Sequence, residues 1–277
     1  MIKCMYLRFP QFRQKALTLS YDDGVSADKK LIDIMSKNGL KGTFNINSGK
    51  FAEESGGFRL TEEEAVALYS ESGNEVAIHG VHHIPLTYID NTMGINEIFK
   101  DRQNLERLFQ KPVQGMAYAN GVYSDEVVDM LKKCGVLYAR TTKSTEAFEI
   151  PDDWLRLPTT CHHKNPRLME LADAFLADPA QRNFWADRAR LFYLWGHSYE
   201  FDYDNNWEVI EHFAKRVGNR DDVWYATNME IYEYVRAYKR LQFSSNEDFI
   251  YNPSNIDVYV DYFGKQVCVK AGELKRI

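Results

Sequence analysis

The stretch KALTLSYDDG, residues 15–24, carries the reading of the fold. A short apolar and β-branched run leads into two adjacent carboxylates and a glycine, which describes a strand that stops and turns. The same rhythm recurs outward along the chain, in GTFNIN (42–47), NEVAIH (74–79), VQGMAYA (113–119), VLYARTT (136–142), WLRLPTT (154–160), RLFYLWGH (190–197) and DVWYAT (222–227). Helical patterns lie between these runs. In SADKKLIDIMSKNG (26–39), Ser26 is placed to cap the start and Gly39 to end the helix in a left-handed turn. In LTEEEAVALYSES (60–72), Thr61 and Glu64 form a T-x-x-E capping box, with three acids in the first turn where the helix dipole favours them. Strands alternating with helices predict an α/β fold around a parallel sheet. After residue 242 the rhythm changes. SSNEDFIYNPSN reads as a loop and IDVYVDYFGKQVCVKAG as two strands around a Phe-Gly-Lys turn, so residues 1–242 are expected to form the main domain and 243–277 a small β appendage.

The bulk numbers narrow the function. With 277 residues and 44% hydrophobic content the chain can bury a substantial core. Lys+Arg of 34 against Asp+Glu of 40 leaves a formal charge of −6, and no basic stripe tracks a phosphate backbone, so nucleic acid is not an expected partner. No segment approaches the roughly 18 apolar residues that a membrane helix needs, and no membrane association is expected. The amino-terminal run MIKCMYLRFPQFRQKALTLS lacks a cleavable signal pattern. Cys4, Cys134, Cys161 and Cys268 are scattered with no C-x-x-C pair, which argues against a disulfide framework or thiolate zinc site and for a cytoplasmic location. Oligomeric state is not readable.

Three clusters carry chemistry. Asp22 and Asp23 repel one another unless a cation or hydrogen-bond donors compensate, and Gly24 lets the backbone turn to aim both; an Asx-turn serving the next helix is the plainer alternative. His79-Gly80-Val81-His82-His83 places three of the seven histidines in five positions. His79 and His83, four apart, can grip one ion from one face while His82 points elsewhere; solvated imidazoles at a helix cap are the alternative. Gly80 stands where a zinc protease of the H-E-x-x-H type carries its catalytic Glu. One Asp and two His make a facial triad with open positions, compatible with zinc hydrolysis, other divalent metals or non-haem iron, and the second carboxylate of the pair favours hydrolysis as a proton acceptor. Third, His197 in Leu194-Trp195-Gly196-His197 follows a strand of large apolar residues and should emerge at its carboxyl end, the face on which β/α barrels build active sites, although a hydrogen-bonded core histidine fits the same pattern.

These clusters, in this order, resemble the polysaccharide deacetylase family, or NodB-homology domain, over roughly residues 15–240. The family's T-F-D-D-G motif is similar to Ser20–Gly24 here, its H-[ST]-x-x-H motif to His79–His83, and its L-x-x-H motif to Leu194–His197. The resemblance implies a distorted (β/α) barrel of about seven parallel strands, a divalent metal, zinc first, held by Asp23, His79 and His83, with Asp22 as base and His197 as general acid. It implies a hydrolase that removes acetyl groups, N-acetyl first, from a carbohydrate or carbohydrate precursor. An amidase of another C–N bond or a non-catalytic carbohydrate-binding barrel are the alternatives, with an iron oxygenase further off.

Two of the family's motifs depart from its pattern. Where many members have R-x-P-Y-G, this chain reads Ala117-Tyr118-Ala119-Asn120-Gly121, so the Arg expected beside the catalytic Asp is missing. Arg140 and Arg156 are the candidates to replace it; without a replacement, Asp22 is expected to have a higher pKa than in relatives. A backbone N–H near Asn120 is the expected oxyanion donor. Asp153-Trp154 is the nearest match to the motif whose acid orients the family's histidine. His162 and His163 are expected to contact substrate from the same face, together with Tyr118. Trp195, Tyr199, Phe201, Tyr203 and Trp207 form an aromatic group suited to stacking on sugar rings.

Overall fold

In the computed structural model residues 5–178 and 188–277 are described; Cys4 lies outside them. A first strand, β1 (Met5–Arg8), precedes the central sheet, which contains β2 (Lys15–Asp22), β3 (Gly42–Ile46), β4 (Glu75–Ile78), β5 (Gly115–Ala117), β6 (Tyr138–Ser144), β7 (Leu157–Thr159), β8 (Cys161–His162), β9 (Arg190–Gly196) and β10 (Val223–Tyr225). The order is β7-β6-β5-β4-β3-β2-β9-β8, with β10 also on β2, and every pair is parallel. The two end strands, β7 and β8, are halves of one segment broken at Thr160, whose N–H donates to Tyr193 O at 2.9 Å. The sheet therefore curls into the distorted barrel expected from the sequence, without a continuous closed ring of ladder hydrogen bonds among the described residues.

All eight residues of β2 are buried, and the two-residue period of a strand explains how. Leu17, Leu19 and Tyr21 face outward into the main core, against α1 (Asp28–Lys37), α2 (Glu62–Glu71), α3 (Asn91–Phe109), α4 (Asp125–Lys133), α5 (Leu168–Leu176), α6 (Tyr199–Tyr203) and α7 (Glu208–Val217). The alternate residues Thr18, Ser20 and Asp22 turn into the barrel, where they meet Thr43, Asn45, Arg140 and Tyr193, all buried. The bottom of the barrel is plugged by the start of α8 (Asn228–Lys239): Asn228 donates to the Tyr193 hydroxyl at 2.7 Å and accepts from Thr18 at 3.0 Å. No helix among the described residues is long and apolar enough to cross a membrane.

Thr61 and Glu64 form the expected capping box on α2, and Gly39 takes φ +64° after α1. Ser26 does not cap α1. Its hydroxyl donates to Gly57 O, and the position before the helix is Ala27 with no side-chain cap. The Phe-Gly-Lys turn joins β13 (Val258–Tyr262) to β14 (Lys265–Val269), and a second small sheet pairs β11 (Gln242–Phe243), β12 (Phe249–Tyr251) and β15 (Leu274–Arg276). β1 joins the first of these sheets, antiparallel to β13.

Candidate metal and catalytic centre

The carboxyl ends of β2 and β4 bring the first two clusters together. Asp22 is the last residue of β2 and aims inward; Asp23 takes φ +85° and Gly24 φ +64°, so the chain reverses and the two carboxylates separate. A Cβ on Gly24 would meet Ile46 at 3.0 Å in a left-handed backbone that already disfavours one. After β4, Gly80 and His83 also have positive φ, and the segment is a loop rather than a helix. This loop sets His83 beside His79, with ring centroids 4.7 Å apart. Asp23 Oδ1 is then 3.8 Å from His79 Nε2 and 3.7 Å from His83 Nε2. His82 turns away and pairs its Nδ1 with Glu97 at 2.9 Å.

These three ligand atoms lie within 4.8 Å of one another, and the donor set fits a divalent ion. His79 is buried with its Nδ1 2.9 Å from Ala117 O, which fixes the tautomer by making Nδ1–H the donor. Among the described residues its Nε2 has no hydrogen-bond partner. Burial, with the neighbouring His83, holds its pKa below the ordinary value against Asp22 and Asp23, so the ring is neutral and its lone pair free. Asp101, from α3, accepts the His79 N–H at 3.0 Å and the Ser48 N–H at 2.8 Å, bracing the loop from behind. Arg59 donates to the Asp23 carbonyl.

Asp22 has the cation that its third motif lacks. The guanidinium of Arg140, from β6, bonds both Asp22 oxygens through Nη2, and Asn45 donates to Oδ1 at 2.8 Å. The expected rise in the Asp22 pKa is therefore reversed. Burial pushes it up, but Arg140, His79 and His197 together bring it down to about 2. Arg156 is not the partner, since it pairs with Asp125 and with Asp153 at 2.7 Å.

His197 leaves β9 on the same rim, its Nε2 3.9 Å from Asp22 Oδ2. Its Nδ1 faces Glu200 Oε2 at 3.4 Å. Burial opposes charge on this ring, but Glu200, Asp22 and Asp23 outweigh it and raise its pKa. His162 and His163 reach the same Glu200 oxygen, each through Nε2 at 3.2 Å. Glu200 gave no signal as an isolated letter in an aromatic stretch, although its place three residues after His197 is the spacing at which a helix start brings side chains together.

Other expected contacts are relocated. Tyr118 is buried and gives its hydroxyl to Leu155 O at 2.7 Å, so it does not face substrate. Asp153 is taken by Arg156 and the Leu155 N–H, and Trp154 packs edge-on to Tyr232 at 5.3 Å, so neither serves His197. His163 is buried against Phe201 and Tyr21, and His162 is only partly exposed. Trp195 supports the Arg140 guanidinium, 4.6 Å over its ring. Phe201 is core and Trp207 packs on it. Tyr199, half-buried, touches Tyr203 and Phe58, both exposed, and makes an aromatic lip beside His197. Asn120 is exposed just past β5, with φ +57°.

The polysaccharide deacetylase family model matches residues 10–139. By structure the chain is similar to a protein of Mycobacterium smegmatis described as a polysaccharide deacetylase, at 19% identity over 84% of this chain and 94% of that one, with a TM-score of 0.60. It is also similar to a family 4 carbohydrate esterase from Streptomyces lividans solved with acetate, at 14% identity over 76% and 92% of the two chains, with a TM-score of 0.50. The match to Streptococcus pyogenes deacetylase PplD, solved with acetate, has 20% identity and a TM-score of 0.42 over 45% of this chain, and spans about half, 55%, of that one. No curated protein matches the chain.

Proposed function

We propose, with residues 10–139 belonging to the polysaccharide deacetylase family, that this chain is a metal-dependent hydrolase that removes an acetyl group, N-linked first, from a carbohydrate or carbohydrate precursor. The observation that carries this reading is the convergence at one rim of a three-ligand cluster, Asp23, His79 and His83, with a separately held carboxylate, Asp22, and an imidazole, His197, 3.9 Å from it. Zinc is the proposed ion, because one carboxylate and two imidazoles with an open position suit it. The cytoplasm is the proposed location, on cysteine usage alone.

When bound, the ion supplies Lewis-acid polarisation to the acyl carbonyl and the attacking water. The protein's own groups do the rest. Asp22, kept anionic by Arg140, accepts the proton of the attacking water at Oδ2, the oxygen that faces His79 and His197. A backbone N–H near Asn120 donates to the oxyanion. His197 gives its Nε2 proton to the departing nitrogen. The lip of Phe58, Tyr199 and Tyr203 offers flat faces for a sugar ring.

The test is to strip the protein of metal, restore single divalent ions, and measure acetate release over N-acetylated sugars, O-acetylated sugars and simple amides. Acetate from an N-acetylated sugar only in the metal-restored protein, most with zinc, is expected. Release from simple amides alone, or from no acetylated sugar under any metal, overturns the reading.

A further inference from the structure

Glu200, His162, His163 and Lys164 form a cluster that the assignments above leave unused. Three imidazole nitrogens converge on one carboxylate oxygen, Glu200 Oε2: His162 Nε2 and His163 Nε2 at 3.2 Å and His197 Nδ1 at 3.4 Å. The other oxygen, Oε1, is 3.2 Å from Lys164 Nζ, which also reaches Asp204 at 2.7 Å. His162, His163 and Glu200 are close enough to hold a second ion, but the tautomer of His162 argues otherwise. Its Nδ1 accepts the Lys164 backbone N–H at 3.1 Å, which puts the ring proton on Nε2, the atom facing Glu200. That atom then carries the proton, 3.2 Å from Glu200 Oε2, and has no lone pair for a metal.

We propose that Glu200 is the positioning residue of His197: its Oε2 faces Nδ1 at 3.4 Å in the resting structure, where that nitrogen makes no hydrogen bond to the described residues, and it accepts Nδ1–H as Nε2 presents its proton to the leaving group; this rests on the deacetylase reading above. The orienting carboxylate is thus supplied from α6, three residues after the acid itself, and not from Asp153. His162 meets Glu200 at the same oxygen and Lys164 at the other, and His163, buried with its ring 4.2 Å from Phe201, fixes the wall behind it. Gly196 makes the arrangement possible, since a Cβ there would lie 2.1 Å from His163 Nδ1. In the step served, the C–N bond of the tetrahedral adduct breaks, its electron pair stays on nitrogen and takes the His197 Nε2 proton, the carbonyl re-forms as acetate, and Nδ1 keeps its own proton on Glu200. A carboxylate in this place fixes both the tautomer and the direction of the ring, as the buried Asp of a serine-hydrolase triad does.

The experiment compares wild type, Glu200→Gln and Glu200→Asp, each loaded with metal, on an N-acetylated sugar and on an aryl acetate whose phenolate leaves without protonation. Glu200→Gln is expected to lower kcat on the amide by roughly 10²-fold or more, the usual contribution of general acid–base catalysis, with KM little changed, while the aryl ester is hydrolysed at close to the wild-type rate. Glu200→Asp should recover part of the amide rate. Equal loss on both substrates, or no loss on the amide, overturns the proposal. Ring-nitrogen NMR tests the geometry without turnover: Nδ1 of His197 is protonated in wild type, and that proton's signal shifts or is lost in Glu200→Gln. An unchanged signal overturns the proposal even if the enzyme is a deacetylase. A changed signal in a protein that releases no acetate upholds the positioning and rejects the deacetylase reading instead.

Discussion

Arg140→Met tests the part of the site that holds a charge inside the barrel. Arg140 is fully buried and touches Asp22 through Nη2; among the described residues its Nε and Nη1 have no hydrogen-bond partner, and the face of the guanidinium rests on Trp195. Methionine fills the volume and removes the cation, which leaves a buried carboxylate with Asn45 as its remaining donor. Breaking a buried pair in this way costs about 3–5 kcal/mol at neutral pH. The pH dependence carries the sharper signature. In wild type the Asp22 pKa is lowered to about 2, so the folded state binds fewer protons than the unfolded chain between about pH 4 and pH 2. This stability, roughly 2–3 kcal/mol, is complete above that window and lost as pH falls through it. In Arg140→Met, burial dominates and raises the Asp22 pKa, so the folded state binds more protons and stability gained from Asp22 increases as pH falls from neutral. Urea unfolding of metal-free protein, followed by tryptophan fluorescence from pH 7 to pH 2, reads both. Asp22→Asn in the same background should restore part of the loss, because neither charge is then left alone. A variant within about 1 kcal/mol of wild type, with the same dependence on pH, refutes the assignment of Arg140 as the partner of Asp22.

The two adjacent carboxylates should separate cleanly: Asp22→Asn keeps its metal while turnover falls roughly 10²-fold, and Asp23→Asn loses metal affinity first, both read by metal content and acetate release. Asp28, buried under Ser198 and Tyr69, has its pKa pushed up to about 7, by burial above all and despite the hydrogen bonds those residues give it. The folded state holds that proton between about pH 4 and pH 7, so wild-type stability falls as pH rises across this range, and Asp28→Asn should flatten the slope of Tm against pH. Thr61→Ala removes half of the capping box on α2 and should cost about 1 kcal/mol in urea unfolding, with activity unaltered.

The repeated strand–helix rhythm made the sheet legible, because short apolar and β-branched runs alternate with helical patterns along the chain. Asp23, His79 and His83 were legible for a related reason: short-range spacing places them, and φ at Asp23, Gly80 and His83 is set by the loops that spacing defines. Arg140 was visible only as a candidate, since its partner is 118 residues away and an arginine within a strand gives no local sign of the residue it will face. Its inward direction follows from the strand period, which decides orientation once the sheet order is known. Tyr118, Asp153 and Trp154 failed the other way: they were the nearest matches to two motifs from which this chain departs, and motif position does not state where a side chain points. Glu200 was hidden by the aromatic residues around it. The Phe-Gly-Lys turn was legible, whereas the pairing of Met5–Arg8 with Tyr259–Tyr262 had no signal, because an antiparallel register between distant segments leaves no periodic trace in either.

That last pairing gives the molecule a timetable. Arg8 meets Asp261 across 253 residues, and the Tyr234 hydroxyl bonds Arg8 O at 2.7 Å and the Tyr259 N–H at 3.0 Å, so β1, α8 and β13 are riveted at one point. On a ribosome adding 5–20 residues per second, β1 appears roughly 13–50 s before the strand that will cover it. For much of that interval the barrel is itself incomplete, since β9 and β10 come late in the chain, and MYLR stands as a bare edge able to pair with a neighbouring chain. Slow synthesis or premature termination near residue 258 would thus be felt as aggregation of nascent chains, long before any catalytic group was missing.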